Sequence, residues 1–210
     1  MVSSRSGTAE LWYAWVGEHV ADVDRFSRDL LSVEEQDHLG GYRLREAAER
    51  YVVTRSLVRA VLSERLSIAP RSILVSRTDT GKPVITEGIH FNVSHSGDLI
   101  LLAVSEERAV GVDIERKRDV QRVDALMNRW LSPAERAEFA ALCERGATPS
   151  EAFLRIWSLK EARLKALGVG ISGAGRARLD LVDALPLDHL LERLGDHRPA
   201  LEYVGALAFA

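Results

Sequence analysis

The sequence predicts an α+β protein built in two halves, and three observations carry that prediction. Each half contains a long segment whose apolar residues recur with helical spacing, roughly Arg45 to Leu66 in the first and Ala152 to Leu167 in the second. Each helix is followed by apolar strands, and Leu99 to Ser105 parallels Val204 to Ala208 in character. The pattern restarts near Val110, which puts the boundary between residues 1–109 and 110–210. From the residues alone, this two-fold echo is open to chance. At 210 residues the chain suits one large domain or two small ones, and either can bury a core.

In chain order, Leu11 to Val16 reads as a first strand. Ser32 stands ahead of Val33, Glu34, Glu35 and Gln36, a serine before acidic residues, which marks a helix start. In the long helix, Ala47, Tyr51, Thr54, Val58 and Val61 form the apolar stripe, with Arg43 and Arg50 on another face. Strands are expected near Ile73 to Ser76, Ile89 to Val93 and Leu99 to Val104, the last an uninterrupted apolar run that reads as buried. In the second half, Ser132-Pro133-Ala134-Glu135 combines a serine cap, proline at the first helical position and glutamate three residues after the cap. The second long helix ends at Gly168 and Gly170. Strands near Arg178 to Val182 and Tyr203 to Phe209 close the chain.

Composition narrows the function classes. The chain is 46% hydrophobic and 28% charged, as soluble globular proteins are. No apolar run approaches the roughly 20 residues a bilayer span needs, so no membrane partner is expected. Met1 to Glu10 is polar and lacks the apolar centre of a signal peptide, and the expected location is the cytoplasm. The single cysteine, Cys143, excludes an intrachain disulfide and a cysteine-cluster metal site. A net charge of −3 gives no general attraction to nucleic acid, so an acidic partner has to meet a local basic patch.

Two segments some fifty residues apart carry the chemistry. In Gly111-Val112-Asp113-Ile114-Glu115, a strand puts Asp113 and Glu115 on one face with Ile114 behind them. In Trp157-Ser158-Leu159-Lys160-Glu161-Ala162-Arg163-Leu164-Lys165, a helix puts Glu161 and Lys165 one turn apart on one side. Three carboxylates and an ammonium suit Mg²⁺ with substrate phosphates, because Mg²⁺ takes oxygen ligands and keeps room for phosphate. Either segment by itself reads more simply as a solvated strand edge or an ordinary helical ion pair.

Upstream lie Gly81-Lys82-Pro83, closing a polar turn, and Phe91-Asn92-Val93-Ser94-His95-Ser96. In order, Gly-Lys-Pro, Phe-Asn-x-Ser-His-Ser, Gly-Val-Asp-Ile-Glu and Trp-Ser-x-Lys-Glu-x-x-x-Lys resemble the 4'-phosphopantetheinyl transferases of the surfactin-synthetase-activator type. The four motifs span residues 81 to 165, and weaker similarity runs from about Leu31 to the C-terminus. The resemblance implies a pseudo-dimer of two similar α/β halves with coenzyme A in the cleft between them. The first half would contact the nucleotide, and the second would supply the metal site and the catalytic helix.

It also implies an activity: transfer of the 4'-phosphopantetheine arm of coenzyme A to a serine of an apo acyl, peptidyl or aryl carrier protein, releasing 3',5'-adenosine diphosphate. By the resemblance, Asp113, Glu115 and Glu161 hold Mg²⁺, or Mn²⁺ in its place. Glu161 binds the metal, takes the serine proton, or does both. Lys165 faces the diphosphate and Lys160 matches the family lysine beside the glutamate. Asp113, Glu161 and Lys165 form the catalytic set. Ser94 and His95 match the phosphate-contacting segment, and Gly81, Lys82 and Pro83 match the turn against the adenine. Trp157 is expected to anchor the helix in the core. The two fused halves imply a monomer.

The chain departs from the family in one place. Surfactin-type members carry two lysines before the long helix that reach the 3'-phosphate, and here Glu35 and His38 stand there. Arg50 is the first choice to take that role, with Arg43 and Arg45 nearby, because guanidinium groups bind phosphate well. Carrier proteins of the family are acidic around their serine. The basic run Arg116-Lys117-Arg118 is therefore a candidate docking surface, with Leu126, Met127, Trp130 and Leu131 as apolar contacts. Two rival classes are a protein that only binds coenzyme A and a Mg²⁺-dependent nucleotide hydrolase. Three carboxylates beside a diphosphate argue against mere binding, and the sequence has no Gly-x-x-x-x-Gly-Lys-Ser/Thr loop. A serine hydrolase is disfavoured because no Gly-x-Ser-x-Gly elbow surrounds Ser94.

Overall fold

The long helix expected over residues 45–66 forms over those residues in the computed structural model, which describes residues 3–6, 9–170, 183–188, 191 and 202–210. The chain divides into two compact units, Met1–Val110 and Gly111–Ala210, each mixing helix and sheet.

In the first unit, β1 (Ser3–Ser6) and β2 (Ala9–Trp15) lead into α1 (Val16–His19), α2 (Val23–Leu30), α3 (Val33–Leu39) and α4 (Arg45–Leu66). Strands β3 (Ser76–Arg77), β4 (Pro83–Val84), β5 (His90–Ser96) and β6 (Leu99–Ser105) follow. The main sheet has the order β1-β2-β6-β5, with neighbours antiparallel. Every residue of β6 is buried, as its unbroken apolar run predicts for a central strand. Val53, Leu57, Val58, Val61 and Leu62 of α4 pack with Ala14, Phe91, Ile100, Leu102 and Val104 of the sheet.

The helix start read at Ser32 is a complete capping box: Ser32 Oγ accepts from the Glu35 amide, and the Glu35 carboxylate accepts from the Ser32 amide. The buried face of α4 is wider than the stripe predicted for it. Thr54, Val58 and Val61 are buried, Ala47 and Tyr51 half-buried, and Val52, Val53, Leu57, Leu62 and even Arg59 are buried as well. Arg43 does not share a helical face with Arg50, because it precedes the extended Leu44 that caps α4.

The strand expected at Ile73 to Ser76 is displaced. Pro70–Ser72 makes a single 3₁₀ turn and pairing is confined to Ser76–Arg77. The buried Arg59 guanidinium donates to the Pro70 and Ile73 carbonyls at 2.5 and 3.2 Å, which takes those acceptors from any ladder.

The second unit takes up β7 (Val110–Arg116) from Gly111, then α5 (Val123–Trp130), α6 (Pro133–Glu144), α7 (Pro149–Leu167), β8 (Asp183–Pro186) and β9 (Tyr203–Phe209). Its sheet has the order β7-β9-β8, so β9 is central and all seven of its residues are buried. The expected final strand matches β9, whereas the one expected at Arg178 to Val182 lies outside the described residues. Ser132 and Thr148 open α6 and α7 with capping boxes, each followed by proline. Gly168, at φ 69°, ends α7 in the left-handed conformation.

Helix α7 lies on the sheet through small residues, Ala162 and Ala166 against Ala206 and Ala208. A second cluster joins Leu131, Phe153, Leu154, Ile156 and Val204, with Leu126, Met127, Phe139 and Trp157 packed against it. Trp157 stacks on Phe153 with ring centres 5.8 Å apart and planes 17° apart, which is the core anchor expected of it. Leu131 is buried in this core, while Leu126 and Met127 of the expected apolar docking face are partly buried against it.

Candidate functional site

The decisive geometry lies where α7 meets β7. Gly111 makes it possible. A Cβ built there would sit 2.1 Å from the Ala162 carbonyl oxygen and 2.3 Å from the Ala166 amide nitrogen, so only glycine lets the helix backbone come this close to the strand. Sequence analysis gave Gly111 no role; its signal was a glycine inside an otherwise apolar strand, which often marks close backbone approach.

At this contact Lys165 Nζ donates to Asp113 Oδ1 at 2.6 Å and to the Val112 carbonyl at 3.2 Å. The Asp113 side chain is only 8% exposed and that of Lys165 28%, so the pair is largely withdrawn from water. The strand and helix segments, fifty residues apart in sequence, are thus brought together through these two residues.

Glu161, one turn before Lys165, feels the same neighbourhood. Burial pushes its carboxyl above the ordinary range; Lys165 opposes that, and the charges of Asp113 and Glu115 push the same way as burial. The three predicted carboxylates are therefore within electrostatic reach of one another. Glu161 Oε1 is buried and accepts no hydrogen bond, and Asp113, whose Oδ1 is held by Lys165, has a buried Oδ2 that accepts none. Among the described residues, no group of three Asp, Glu, His or Cys stands close enough to form a ready cation cage. The donor set still suits a hard cation: all-oxygen, anionic and under-satisfied.

Glu115 is more exposed and held at 2.7 Å by Arg118. That contact changes the view of the basic run. Arg116 pairs with Glu202 at 2.9 Å, Lys117 with Glu151 at 3.4 Å, and Arg118 with Glu115, so none of the three is a free positive charge. Lys160 acts on Glu161 through its charge but is held elsewhere. Its side chain is 7% exposed and donates to Glu135 of α6 at 2.9 Å, which makes it a buried structural ion pair in place of a surface or phosphate-facing lysine. Glu135 was legible only as the glutamate of a capping box, and it serves both contacts.

The first unit presents the remaining candidates. His95 is exposed at the end of β5 and Ser94 is buried beside it. The two-residue turn Gly97-Asp98 joins β5 to β6, with Gly97 at φ 55°. Asp98 fixes this turn by accepting from the Gly17 amide at its carboxylate and from the Val16 amide at its carbonyl. Gly81 holds φ 85° in the turn before β4, and its amide donates to the Thr78 carbonyl. Lys82 donates to the Val110 carbonyl at 3.2 Å, and burial pushes its ammonium down to about 8; Pro83 starts β4.

Glu35 is engaged by Arg59 at 2.5 Å and Arg55 at 3.7 Å, and it caps α3, which explains why an acid stands in this position. His38 meets the Tyr42 ring edge-on and the Tyr51 ring at a tilt. Arg50 is half-buried on α4, and neither it nor Arg43 makes an ion pair among the described residues.

Residues 109–200 match the family model described as the 4'-phosphopantetheinyl transferase superfamily, and residues 22–107 match that of the 4'-phosphopantetheinyl transferase N-terminal region. The chain belongs to the 4'-phosphopantetheinyl transferase superfamily. It is 34% identical over 150 residues to the L-aminoadipate-semialdehyde dehydrogenase-phosphopantetheinyl transferase of Xenopus laevis, covering 66% of this chain and 49% of that protein. It is 34% identical over 165 residues to a phosphopantetheinyl transferase of Thraustochytrium sp., covering 72% and 57%. The 4'-phosphopantetheinyl transferase psf-1 of Bacillus pumilus is 32% identical over 149 residues, covering 69% and 61%. The chain thus spans about half to three fifths of the length of these superfamily relatives. No helix among the described residues is long and apolar enough to cross a membrane.

Proposed function

We propose that this chain transfers the 4'-phosphopantetheine arm of coenzyme A to a serine hydroxyl of an apo carrier protein. The observation that carries the proposal is the Lys165–Asp113 ion pair at the α7–β7 contact, with Glu161 within electrostatic reach and its buried Oε1 left without a hydrogen bond. A stable structural ion pair has no use for an unsatisfied buried carboxylate oxygen, whereas a site awaiting a ligand does.

In the reaction, the serine Oγ forms a bond to the β-phosphorus of the coenzyme A diphosphate and the bond to 3',5'-adenosine diphosphate breaks. The serine proton leaves to Glu161, directly or through water. Asp113, Glu115 and Glu161 would hold Mg²⁺, or Mn²⁺, which when bound neutralises charge on the diphosphate oxygens. Lys165 supplies a compact positive charge for the same diphosphate, and the rigid helix and strand hold these groups in place. His95 and Ser94 are assigned to phosphate, the Gly81-Lys82-Pro83 turn to adenine, and Arg50 to the 3'-phosphate. Lys160 drops out of this set because Glu135 holds it.

The order of the four motifs across residues 81–165 supports the surfactin-synthetase-activator type within the superfamily. The view of the units as two related halves is supported by their makeup. Each has one long helix, Arg45–Leu66 or Pro149–Leu167, and one fully buried seven-residue strand, Leu99–Ser105 or Tyr203–Phe209. A monomer acting in the cytoplasm is part of the same proposal.

The test is to incubate the chain with coenzyme A, Mg²⁺ and an apo carrier, and to weigh the carrier. A gain of one phosphopantetheinyl group is expected, lost in Asp113→Ala and Glu161→Gln. Arg50→Ala should lose affinity for coenzyme A but not for 3'-dephospho-coenzyme A. An unmodified carrier with the wild-type chain refutes transfer and leaves a coenzyme A-binding protein as the alternative.

A further inference from the structure

The central strand of the second unit, β9, is buried along its whole length and yet carries a glycine at position 205. On local grounds that is a poor choice, because glycine offers a sheet no side chain to pack and loses the most chain entropy on folding. Gly205 is not among the glycines held at positive φ, so its backbone conformation does not demand it either. The reason lies on the neighbouring strand. A Cβ built on Gly205 would stand 3.0 Å from the Asp113 carbonyl oxygen of β7, 3.6 Å from Leu191 Cδ1 and 3.8 Å from Ile114 Cα. The first distance is closer than side chains ordinarily pack, so a neighbour would have to give by a few tenths of an ångström.

Strand β7 cannot give as a rigid unit. Two residues before Asp113, Gly111 already lies against the backbone of Ala162, Lys165 and Ala166. A push on Asp113 from β9 therefore bends the strand between these two contacts, at Val112 and Asp113. Those are the residues that hold Lys165, whose Nζ donates to the Val112 carbonyl at 3.2 Å and to Asp113 Oδ1 at 2.6 Å.

We infer that Gly205 is a positioning residue for the proposed transfer: the bare backbone of β9 sets where Asp113 stands relative to Lys165 on α7. This rests on the proposed roles of Asp113 and Lys165 and deepens them. Reacting groups have to be held within about 0.5 Å of their productive geometry, and a misplacement of about 1 Å can cost on the order of 10²-fold in rate. A shift of a few tenths of an ångström at Asp113 then predicts a loss of about tenfold in kcat. The KM for coenzyme A should change less, since the contacts proposed for its nucleotide belong to the first unit.

The test compares Gly205→Ala with Leu191→Ala in the full chain, by melting temperature and by the rate of carrier mass gain. Leu191 is buried beside Gly205, and its truncation leaves a cavity, so Leu191→Ala should melt lower than Gly205→Ala. The rates should rank the other way, with kcat down about tenfold in Gly205→Ala and less than about twofold in Leu191→Ala. In the double variant the space vacated by Leu191 lets β9 step away from Asp113, and most of the lost kcat should return. Losses of kcat that follow the losses of stability overturn the inference. So does a Gly205→Ala chain that fails to fold, because the glycine then serves the fold and not the site. One readout needs no turnover: the Lys165 ammonium resonance, identified by its absence in Lys165→Arg, should shift in Gly205→Ala and stay in place in Leu191→Ala. An unmoved resonance in Gly205→Ala overturns the positioning, whereas an unmodified carrier with the wild-type chain overturns the transfer reading on which it rests.

Discussion

Gly111→Ala is the sharpest perturbation of this fold, since one added methyl tests whether the approach of α7 to β7 is rigid. The new Cβ would lie 2.1 Å from the Ala162 oxygen, 2.3 Å from the Ala166 nitrogen and 2.9 Å from the Lys165 carbonyl carbon. All three are backbone atoms, so no rotamer change can make room, and the first contact falls well over ~1 Å inside ordinary van der Waals separation. Overpacking of a core costs about 1–3 kcal/mol where neighbours can adjust, so a loss of about 3 kcal/mol or more is expected here. For a unit of this size that corresponds to a melting temperature lower by about 12 °C or more. Urea unfolding followed by tryptophan fluorescence reports it, because Trp130 and Trp157 both lie in the second unit. The control is Gly88→Ala, where nothing lies within 4 Å of the new Cβ but the backbone has φ 78°. That variant should lose only about 1–2 kcal/mol, the cost of a left-handed alanine. If Gly111→Ala loses less than Gly88→Ala, the helix is free to shift on the strand and the claim that their contact fixes Lys165 against Asp113 is wrong.

Three further outcomes follow from particular contacts. Glu135→Ala removes a capping box and strands the buried Lys160 ammonium, so it should destabilise by about 3–5 kcal/mol, whereas Lys160→Met removes the charge and should cost much less; equal losses in chemical denaturation would refute the buried-pair account. Burial lowers Lys82 from its ordinary 10.5 to about 8, so between those values the unfolded chain holds a proton that the folded chain has shed. Stability should therefore rise with pH from about 8 to about 10.5, and Lys82→Met should flatten that rise; the same slope in both proteins would contradict the burial argument. Arg116→Glu with Lys117→Glu should raise the carrier KM at low salt and leave that of coenzyme A unchanged. Arg118 is kept because it holds Glu115, and unaltered carrier kinetics would place docking elsewhere.

What the sequence made legible was the local geometry. Strand alternation and helical spacing place Asp113, Glu115, Glu161 and Lys165 on their elements, and the cap signals at Ser32 and Ser132 mark helix starts that form as read. Helix α7 begins at Pro149, ahead of the Ala152 expected, because Thr148 supplies the cap. What stayed hidden were long-range pairings, which no local period encodes. Arg59 reaches Pro70 and Ile73 and replaces an expected strand with a turn. Glu135 reaches Lys160 across two helices, so the lysine matched to the family's lysine beside the glutamate is buried in an ion pair. Glu202, Glu151 and Glu115 neutralise a basic run that looked free in the sequence.

Three buried ion pairs separate structure from site by how completely their atoms are satisfied. Arg59 bonds to Glu35 and to two carbonyls, and Glu35 is also held by the Ser32 amide and Arg55. Lys160 donates to both oxygens of Glu135, and the Ser32-type cap at Ser132 uses the same carboxylate. Both pairs are closed networks, and closed networks rigidify a core. The cluster around Lys165 and Asp113 is different: it crowds like charges, keeps Glu161 protonated more readily than an ordinary glutamate, and leaves a buried Glu161 oxygen with no donor. Such an arrangement lowers stability unless something else completes it. Its place on a close contact of helix backbone with strand glycine fits the proposed binding site for a charged ligand, because precision there has to come from rigid elements and incompleteness from the side chains they carry.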